Sequence, residues 1–380
     1  VAVVGPTHPF KGGVAAHTTA TAQHLADAGH DVDLVSWSRL YPATLYPGEQ
    51  TVAGAGPDVP EYARVVRPLR WDRPGTWWRT GRRLAGHDLV VLVVVVPAQV
   101  PALLTVARAA RRGTRQPRVV VLAHNVVPHE THPGGTWLMN RLLAATDGVL
   151  VHSPEQARLA GDHGARTVVV ADLPPHPPGG LPDAAQRAAE VAARSERLGA
   201  ADAPLRLLAL GYVRRYKGFD LLVRAAAGLP RVHVTVAGEV WSGGGRDLDA
   251  VRADPRLAGR VDVRAGYVPA AEMPGLLAEH DVLALPYRHA TASQNVLVAH
   301  AHGLPVLATA VGTFGEQVRD GVDGLVVAPD DEIALVKGLE RLLEPGVAAA
   351  MTRAVPDVDE AGPWARYVAA LTGLAGQDAA

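Results

Sequence analysis

Leu205-Arg206-Leu207-Leu208-Ala209-Leu210-Gly211-Tyr212-Val213-Arg214-Arg215-Tyr216-Lys217-Gly218-Phe219-Asp220-Leu221-Leu222 decides how the chain is read. Five of its first six residues are apolar, which suits a buried strand, Gly211 breaks the run, cations follow, and Phe219 opens a helical pattern. A strand feeding a helix through a glycine turn is the unit of an open parallel sheet, and such sheets bind ligands at the carboxyl ends of their strands. The turn therefore puts a positive cluster where chemistry is expected. Lys11, Lys217 and Lys337 are the only lysines among 37 basic residues, so the two that neighbour glycine in such turns stand out. A solvated charged turn is the competing reading.

The same rhythm runs outward in both directions. Strands are expected at 1–5, 31–37, 88–96, 118–123, 148–151 and 166–170, and again at 205–210, 233–237, 261–264, 281–285, 305–308 and 324–327, with helical patterns between most of them. Between the two series, Pro174, Pro175, Pro177, Pro178, Gly179 and Gly180 precede an Ala-rich charged stretch at 183–198, which reads as a linker over 176–203. The expectation is an α/β chain of two Rossmann-like, doubly wound parallel-sheet domains, 1–175 and 204–360, facing a cleft. A length of 380 residues agrees, at roughly 100 to 200 residues per domain.

Composition narrows the function classes. With 48% hydrophobic and 20% charged residues and a net charge of −1, no excess charge would keep the chain unfolded or hold it to nucleic acid. The absence of cysteine excludes disulfides, a cysteine nucleophile, thiolate metal sites and iron–sulfur clusters, and fits a cytoplasmic location. The apolar run at 1–5 meets Pro6 too early to be the centre of a signal peptide. Residues 89–107 are long enough to span a membrane as one helix, but Pro97 and Pro101 and the β-branched run 90–96 favour a buried strand followed by a helix.

Three further loops could carry chemistry. Gly5-Pro6-Thr7-His8-Pro9-Phe10-Lys11-Gly12-Gly13 leads into a helical pattern from Val14, and glycines at a helix start let backbone amides approach an anion or a sugar hydroxyl. A structural glycine turn is the alternative, and neither the dinucleotide nor the P-loop spacing is present. In 289–297, Ser293 suits a helix N-cap, leaving the amides of Gln294, Asn295 and Val296 to face a diphosphate that Arg214 and Lys217 would also neutralise. In 124–132, His124, His129, Glu130 and His132 suggest a metal, but Pro128 interrupts the stretch and the histidines lack i, i+4 spacing, so no metal is assigned.

With these landmarks in order, the chain resembles the retaining GT-B glycosyltransferases of family 4. The resemblance rests on Gly12-Gly13, His124-Asn125, Gly211 to Leu222, and Gly303-Leu304-Pro305-Val306 followed by Gly312, Glu316 and Gly321 to Gly324. It implies a nucleotide-diphosphate sugar held mainly by the second domain, an acceptor held mainly by the first, and a final helix in 361–380 crossing back to the first. It places His124 near the reacting sugar, with Arg214 and Lys217 stabilising the leaving diphosphate. Gly12, Gly13, Gly211, Ser293, Gln294, Asn295 and Val296 would bind donor, with backbone around Tyr267 and Val268 reading the base. Lys11, His129 and Glu130 fall on the acceptor side.

The chain departs from the family at two positions. The family carries two glutamates eight positions apart, the second five before the glycine matched by Gly303, where this chain has Ala290 and Val298. A changed donor or lost catalysis is left open. The family's arginine after the first glycine is Tyr212 here, and Arg214 is the expected substitute.

No cofactor is expected beyond the substrate. An epimerase or phosphorylase on the same architecture, or a noncatalytic partner subunit, are the alternatives. Between Arg64 and Arg83 there are seven arginines, three tryptophans and one carboxylate, a net +6, which suits contact with the inner face of a membrane and a lipid-linked glycan acceptor. A basic surface helix with its tryptophans packed inward is the other reading.

Overall fold

Short apolar runs build the central strands of the two sheets, because a parallel strand covered by helices on both faces has no solvated side on which to place polar residues. The computed structural model describes residues 1–42, 50–52, 54, 56–127, 134–200, 202–290 and 293–376. They divide into two compact units, one of Val1–His176 with Asp359–Ala380 and one of Pro177–Val358.

The first unit contains β1 (Ala2–Val4), α1 (Gly13–Asp27), β2 (Asp33–Arg39), β3 (Val65–Arg70), α2 (Pro74–Arg83), β4 (Leu89–Val94) and α3 (Val100–Ala110). It continues with β5 (Arg118–Ala123), α4 (Gly135–Ala144), β6 (Gly148–Val151), α5 (Pro154–Asp162) and β7 (Val168–Val170). The strands are all parallel, in the order β3-β2-β1-β4-β5-β6-β7. Along β4, Val90, Leu92 and Val94 join one apolar cluster while Leu89, Val91 and Val93 join another, the signature of a strand covered on both sides. The stretch that had to be weighed as a membrane span is thus β4 followed by α3, and no helix among the described residues is long and apolar enough to cross a membrane.

The second unit opens with α6 (Ala184–Gly199), β8 (Leu205–Leu210), α7 (Phe219–Ala226), β9 (Val232–Gly238), α8 (Ser242–Arg252), β10 (Val261–Ala265) and α9 (Met273–Ala278). It closes with β11 (Val282–Leu285), α10 (Asn295–Ala301), β12 (Val306–Thr309), α11 (Phe314–Gln317), β13 (Gly324–Val327), α12 (Glu332–Leu343) and α13 (Val347–Ala354). Its six parallel strands run β10-β9-β8-β11-β12-β13. Both sheets therefore reverse direction of growth beside their first strand, at β1/β4 and at β8/β11, the switch points where doubly wound sheets bind ligands.

Two features differ from the sequence reading. The segment 176–203 is no free linker: α6 packs into the second unit through Arg194, fully buried, whose guanidinium donates to the carbonyls of Leu277, His280, His302 and Gly303. Burial lowers its pKa to about 10, and five N–H donors in a fixed fork suit carbonyls left unpaired at helix ends. The basic segment at 64–83 is a strand, β3, before it is a helix, α2. The last helix, α14 (Ala361–Gly376), lies in the first unit, with Trp364 and Tyr367 buried against α1 and the Trp364 indole N–H donating to Pro175 O at 2.7 Å.

Candidate functional site

The turn at the β8/β11 switch point is built around an ammonium. Gly211 ends β8 at φ +111, and a Cβ there would stand 2.6 Å from Lys217 Nζ, so the amine lies directly against the glycine backbone. Gly218, at φ +63, would place a Cβ 2.0 Å from Pro286 O, which ties the turn after β8 to the end of β11. Between these two glycines, Arg215–Lys217 make a single 3-10 turn, and Lys217 is only 8% exposed.

Lys217 Nζ lies 4.9 Å from the Tyr287 ring centroid and 6.0 Å from that of Phe219. It has no hydrogen bond or ion pair to any of the described residues. Burial is the main cause of its lowered pKa, with Arg214 adding to the effect and Tyr216 opposing it. Arg214 is stacked, its Cζ 3.6 Å from the Trp241 centroid and 5.6 Å from that of Tyr212. The neighbouring cations are neutralised instead: Arg288 forks onto Asp220 at 2.9 and 2.8 Å and reaches Asp330, and Arg215 meets Asp247 at 3.3 Å. Lys217 is thus a buried positive charge among aromatic rings, in surroundings where carboxylates are spent on other arginines.

The start of α10 faces the same turn, with a geometry that corrects one expectation. The helix begins at Asn295 with Gln294 as its N-cap, and Ser293, one position earlier, accepts from Asn295 N at 3.2 Å. The Asn295 amide is therefore occupied rather than free, because the serine hydroxyl reaches it first. The Asn295 side chain turns inward, donating to Leu210 O and to Tyr287 Oη, each at 3.1 Å, so that it fastens α10 to the end of β8. Val296 is buried in the core of the second unit, where only its backbone could serve a ligand. Burial raises the pKa of Tyr287, leaving it a neutral phenol under the ammonium.

Tyr267 and Val268 follow β10, at the sheet edge, both half-buried. At the two positions where the family carries glutamates, Ala290 packs against the core of the second unit and Val298 is buried in it. No carboxylate reaches the site from either position.

In the first unit the expected residues gather after β1 and β5. Gly12 caps α1 at φ +96, a conformation only glycine takes readily, whereas a Cβ on Gly13 would meet open space, so Gly13 has no steric reason to be glycine. Lys11 is half-buried beside them. His124 follows β5; its ring is half-buried, with Nε2 enclosed next to His17 and His152. His129 and Glu130 lie outside the described residues, as does His132.

Sequence reasoning missed Trp241 as the platform for Arg214, and missed His17, His152 and His176 around His124. No local pattern signals either grouping, since each is assembled from separate loops.

In the 64–83 segment, Arg64 pairs with Asp31 and Asp33, Arg67 with Glu61, and Arg70 with Asp72. Arg73, Arg79, Arg82 and Arg83 have no carboxylate partner among the described residues. Trp77 packs against the core of the first unit, while Trp71 and Trp78 are exposed, so the tryptophans split between inward and outward packing.

Comparison with known proteins agrees with this fold. Residues 11–171 match the model of Glycosyltransferase Family 4 and residues 204–345 that of Glycosyl transferases group 1. The chain is 32% identical over 304 residues to a GDP-mannose-dependent alpha-(1-6)-phosphatidylinositol monomannoside mannosyltransferase of Mycolicibacterium smegmatis, covering 76% of this chain and 77% of that protein. It is 33% identical over 220 residues to a D-inositol 3-phosphate glycosyltransferase of Geodermatophilus obscurus, covering 52% of this chain and 46% of that protein. The chain spans under half the length of the inositol-phosphate relatives it matches. Among solved structures, Anabaena HepE in complex with UDP-glucose superposes with a TM-score of 0.70 at 16% identity, covering 98% of this chain and 99% of that one. Sucrose-phosphate synthase from Thermosynechococcus elongatus superposes with a TM-score of 0.69 at 20% identity, covering 99% of this chain and 96% of that one. Both share the GT-B fold described above.

Proposed function

The chain belongs to glycosyltransferase family 4, and from that premise we propose that it transfers a sugar from a nucleotide-diphosphate donor to a hydroxyl acceptor with retention of configuration. The observation that carries the reading is the Lys217 ammonium, buried without an anionic partner at a sheet switch point. Removing a cation from water is costly unless an opposite charge compensates it, and a diphosphate supplies that charge when bound. Arg214, held flat on Trp241, gives a second donor fork for the same group.

As the bond to the anomeric carbon lengthens, negative charge grows on the leaving diphosphate, and fixed cations stabilise it more than they stabilise the ground state. The acceptor oxygen approaches from the face the phosphate leaves, and its proton passes to the departing phosphate. No covalent nucleophile and no metal is assigned to this step. Backbone at Tyr267 and Val268 reads the base. In the first unit, His124 and the loop of Lys11, Gly12 and Gly13 are the groups to test for contact with sugar or acceptor hydroxyls.

The named activities of the relatives make an inositol-based polyol the first acceptor to test. The arginines of α2, which have no carboxylate partner among the described residues, with exposed Trp71 and Trp78, support contact with an anionic membrane surface and a lipid-linked acceptor. A noncatalytic, partner-binding role is the second reading, favoured by the apolar residues at 290 and 298. Incubation with nucleotide-diphosphate sugars and inositol phosphates separates the two: nucleotide released with formation of a glycoside supports the enzyme, and binding without any release supports the subunit.

A further inference from the structure

Within the first unit, three imidazoles from three elements converge. His17 comes from the second turn of α1, His124 from the end of β5 and His152 from the end of β6. Each offers one ring nitrogen, and those three atoms lie within 4.8 Å of one another. The ring centroids are 4.9 Å apart for His17 and His124, 5.0 Å for His124 and His152, and 5.6 Å for His17 and His152.

Both nitrogens of His17 and the Nε2 atoms of His124 and His152 are buried with no hydrogen-bond partner among the described residues. Four such atoms in three adjoining rings are exceptional, since each unpaired buried polar group costs on the order of 1–3 kcal/mol. One of the rings is already oriented. His152 Nδ1 lies 3.1 Å from Ala171 O, a contact in which the ring nitrogen donates, and this leaves Nε2 as the lone-pair atom facing the other two rings. A backbone carbonyl fixing the far nitrogen is how metal-bound histidines are commonly held.

We propose that His17, His124 and His152 bind one divalent transition-metal ion of the zinc class, which ties α1 to the ends of β5 and β6. Three imidazoles are a complete protein ligand set for a four-coordinate ion whose last position is water. Tetrahedral bonds of 2.0–2.1 Å would bring the nitrogens to about 3.4 Å apart, so the rings close by no more than about 1.4 Å in any pair. The site shares His124 with the glycosyl-transfer reading, but the diphosphate cations lie in the second unit and the test rests on His17 and His152, which that reading does not use.

The experiment uses the full chain without a histidine tag, stripped by chelator, reloaded with zinc and gel-filtered before elemental analysis, with Co²⁺ titrated in parallel as the spectroscopic probe. One zinc per chain, intense visible bands of four-coordinate Co²⁺, and a rise in melting temperature on loading are expected. His17→Asn should lose all three. Wild-type protein that takes up no zinc and gives no Co²⁺ bands would overturn the proposal, leaving a buried water as the occupant. Equal loading of wild type and a folded His17→Asn would overturn it as well, by placing the ion elsewhere. Should His17→Asn fail to fold, His152→Gln repeats the comparison, and the wild-type cobalt spectrum alone still decides whether a buried nitrogen site exists.

Discussion

Replacing Lys217 by methionine separates catalysis from stability in one substitution. Methionine keeps an unbranched apolar stem against Gly211 and over Tyr287 but deletes the charge 4.9 Å from that ring. A unit charge about 4 Å from a phosphate oxygen, at an effective dielectric constant of 20, is worth about 4 kcal/mol. Loss of a single preorganised donor to a developing anion costs about 2.7–4 kcal/mol, or 10²- to 10³-fold in turnover, so the two routes agree.

Stability should move the other way. Burial lowers the Lys217 pKa below its ordinary 10.5, so the unfolded chain binds more protons between the lowered value and 10.5, and wild-type stability gains from this group as pH rises through that window. The variant lacks the penalty at neutral pH, and its melting temperature should equal or exceed that of the wild type, the gap closing as pH approaches 10.5. The assay pairs nucleotide release under saturating donor with thermal unfolding in the absence of nucleotide. A folded Lys217→Met that turns over within about threefold of wild type would refute the reasoning.

Other expected outcomes can be checked separately. Gly218→Ala would set a Cβ 2.0 Å from Pro286 O at φ +63, so denaturant unfolding should show a loss of more than about 2 kcal/mol, while Gly346→Ala, whose Cβ meets open space, should lose only about 1 kcal/mol of backbone strain. His300 is buried with an unpartnered Nε2, and burial lowers its pKa to about 4. The unfolded chain therefore binds more protons at this residue between pH 4 and 6.5, so His300 alone makes stability fall on acidification through that window by about 1.4 kcal/mol per pH unit, and His300→Leu should reduce the slope by that amount while the other buried histidines keep the rest. Vesicles containing anionic lipid should bind the chain and shift its tryptophan emission, and Arg79→Glu with Arg83→Glu, or high salt, should abolish the shift while zwitterionic vesicles give none.

The central strands were legible because their sequence and environment agree: 90–94 and 119–122 are valine-rich apolar runs, and both strands are buried on two faces. β3 was not, since Val65-Val66-Arg67-Pro68-Leu69-Arg70 carries a proline and two arginines, tolerable only because the strand pairs on one side, with β2. The Lys217 turn could be found because lysine is rare in this chain, so the residue type itself was a signal. Its platform was hidden: Trp241 and Tyr287 come from the loops after β9 and β11, and stacking leaves no local pattern. Asn295 was read for its amide, whereas its side chain does the work of joining α10 to β8. Arg194 looked like one charge of a solvated helix, because the four carbonyls that bury it lie far away along the chain. The histidine trio is likewise a product of strand order, which sets the ends of β5 and β6 side by side.

The most direct measurement is calorimetric titration of the wild type and Lys217→Met with a nucleoside diphosphate and with the corresponding nucleoside. The buried ammonium predicts that the diphosphate binds the wild type far more tightly than the nucleoside does, and that the variant loses most of that difference while binding the nucleoside unchanged. Equal diphosphate affinity in the two proteins would contradict the account.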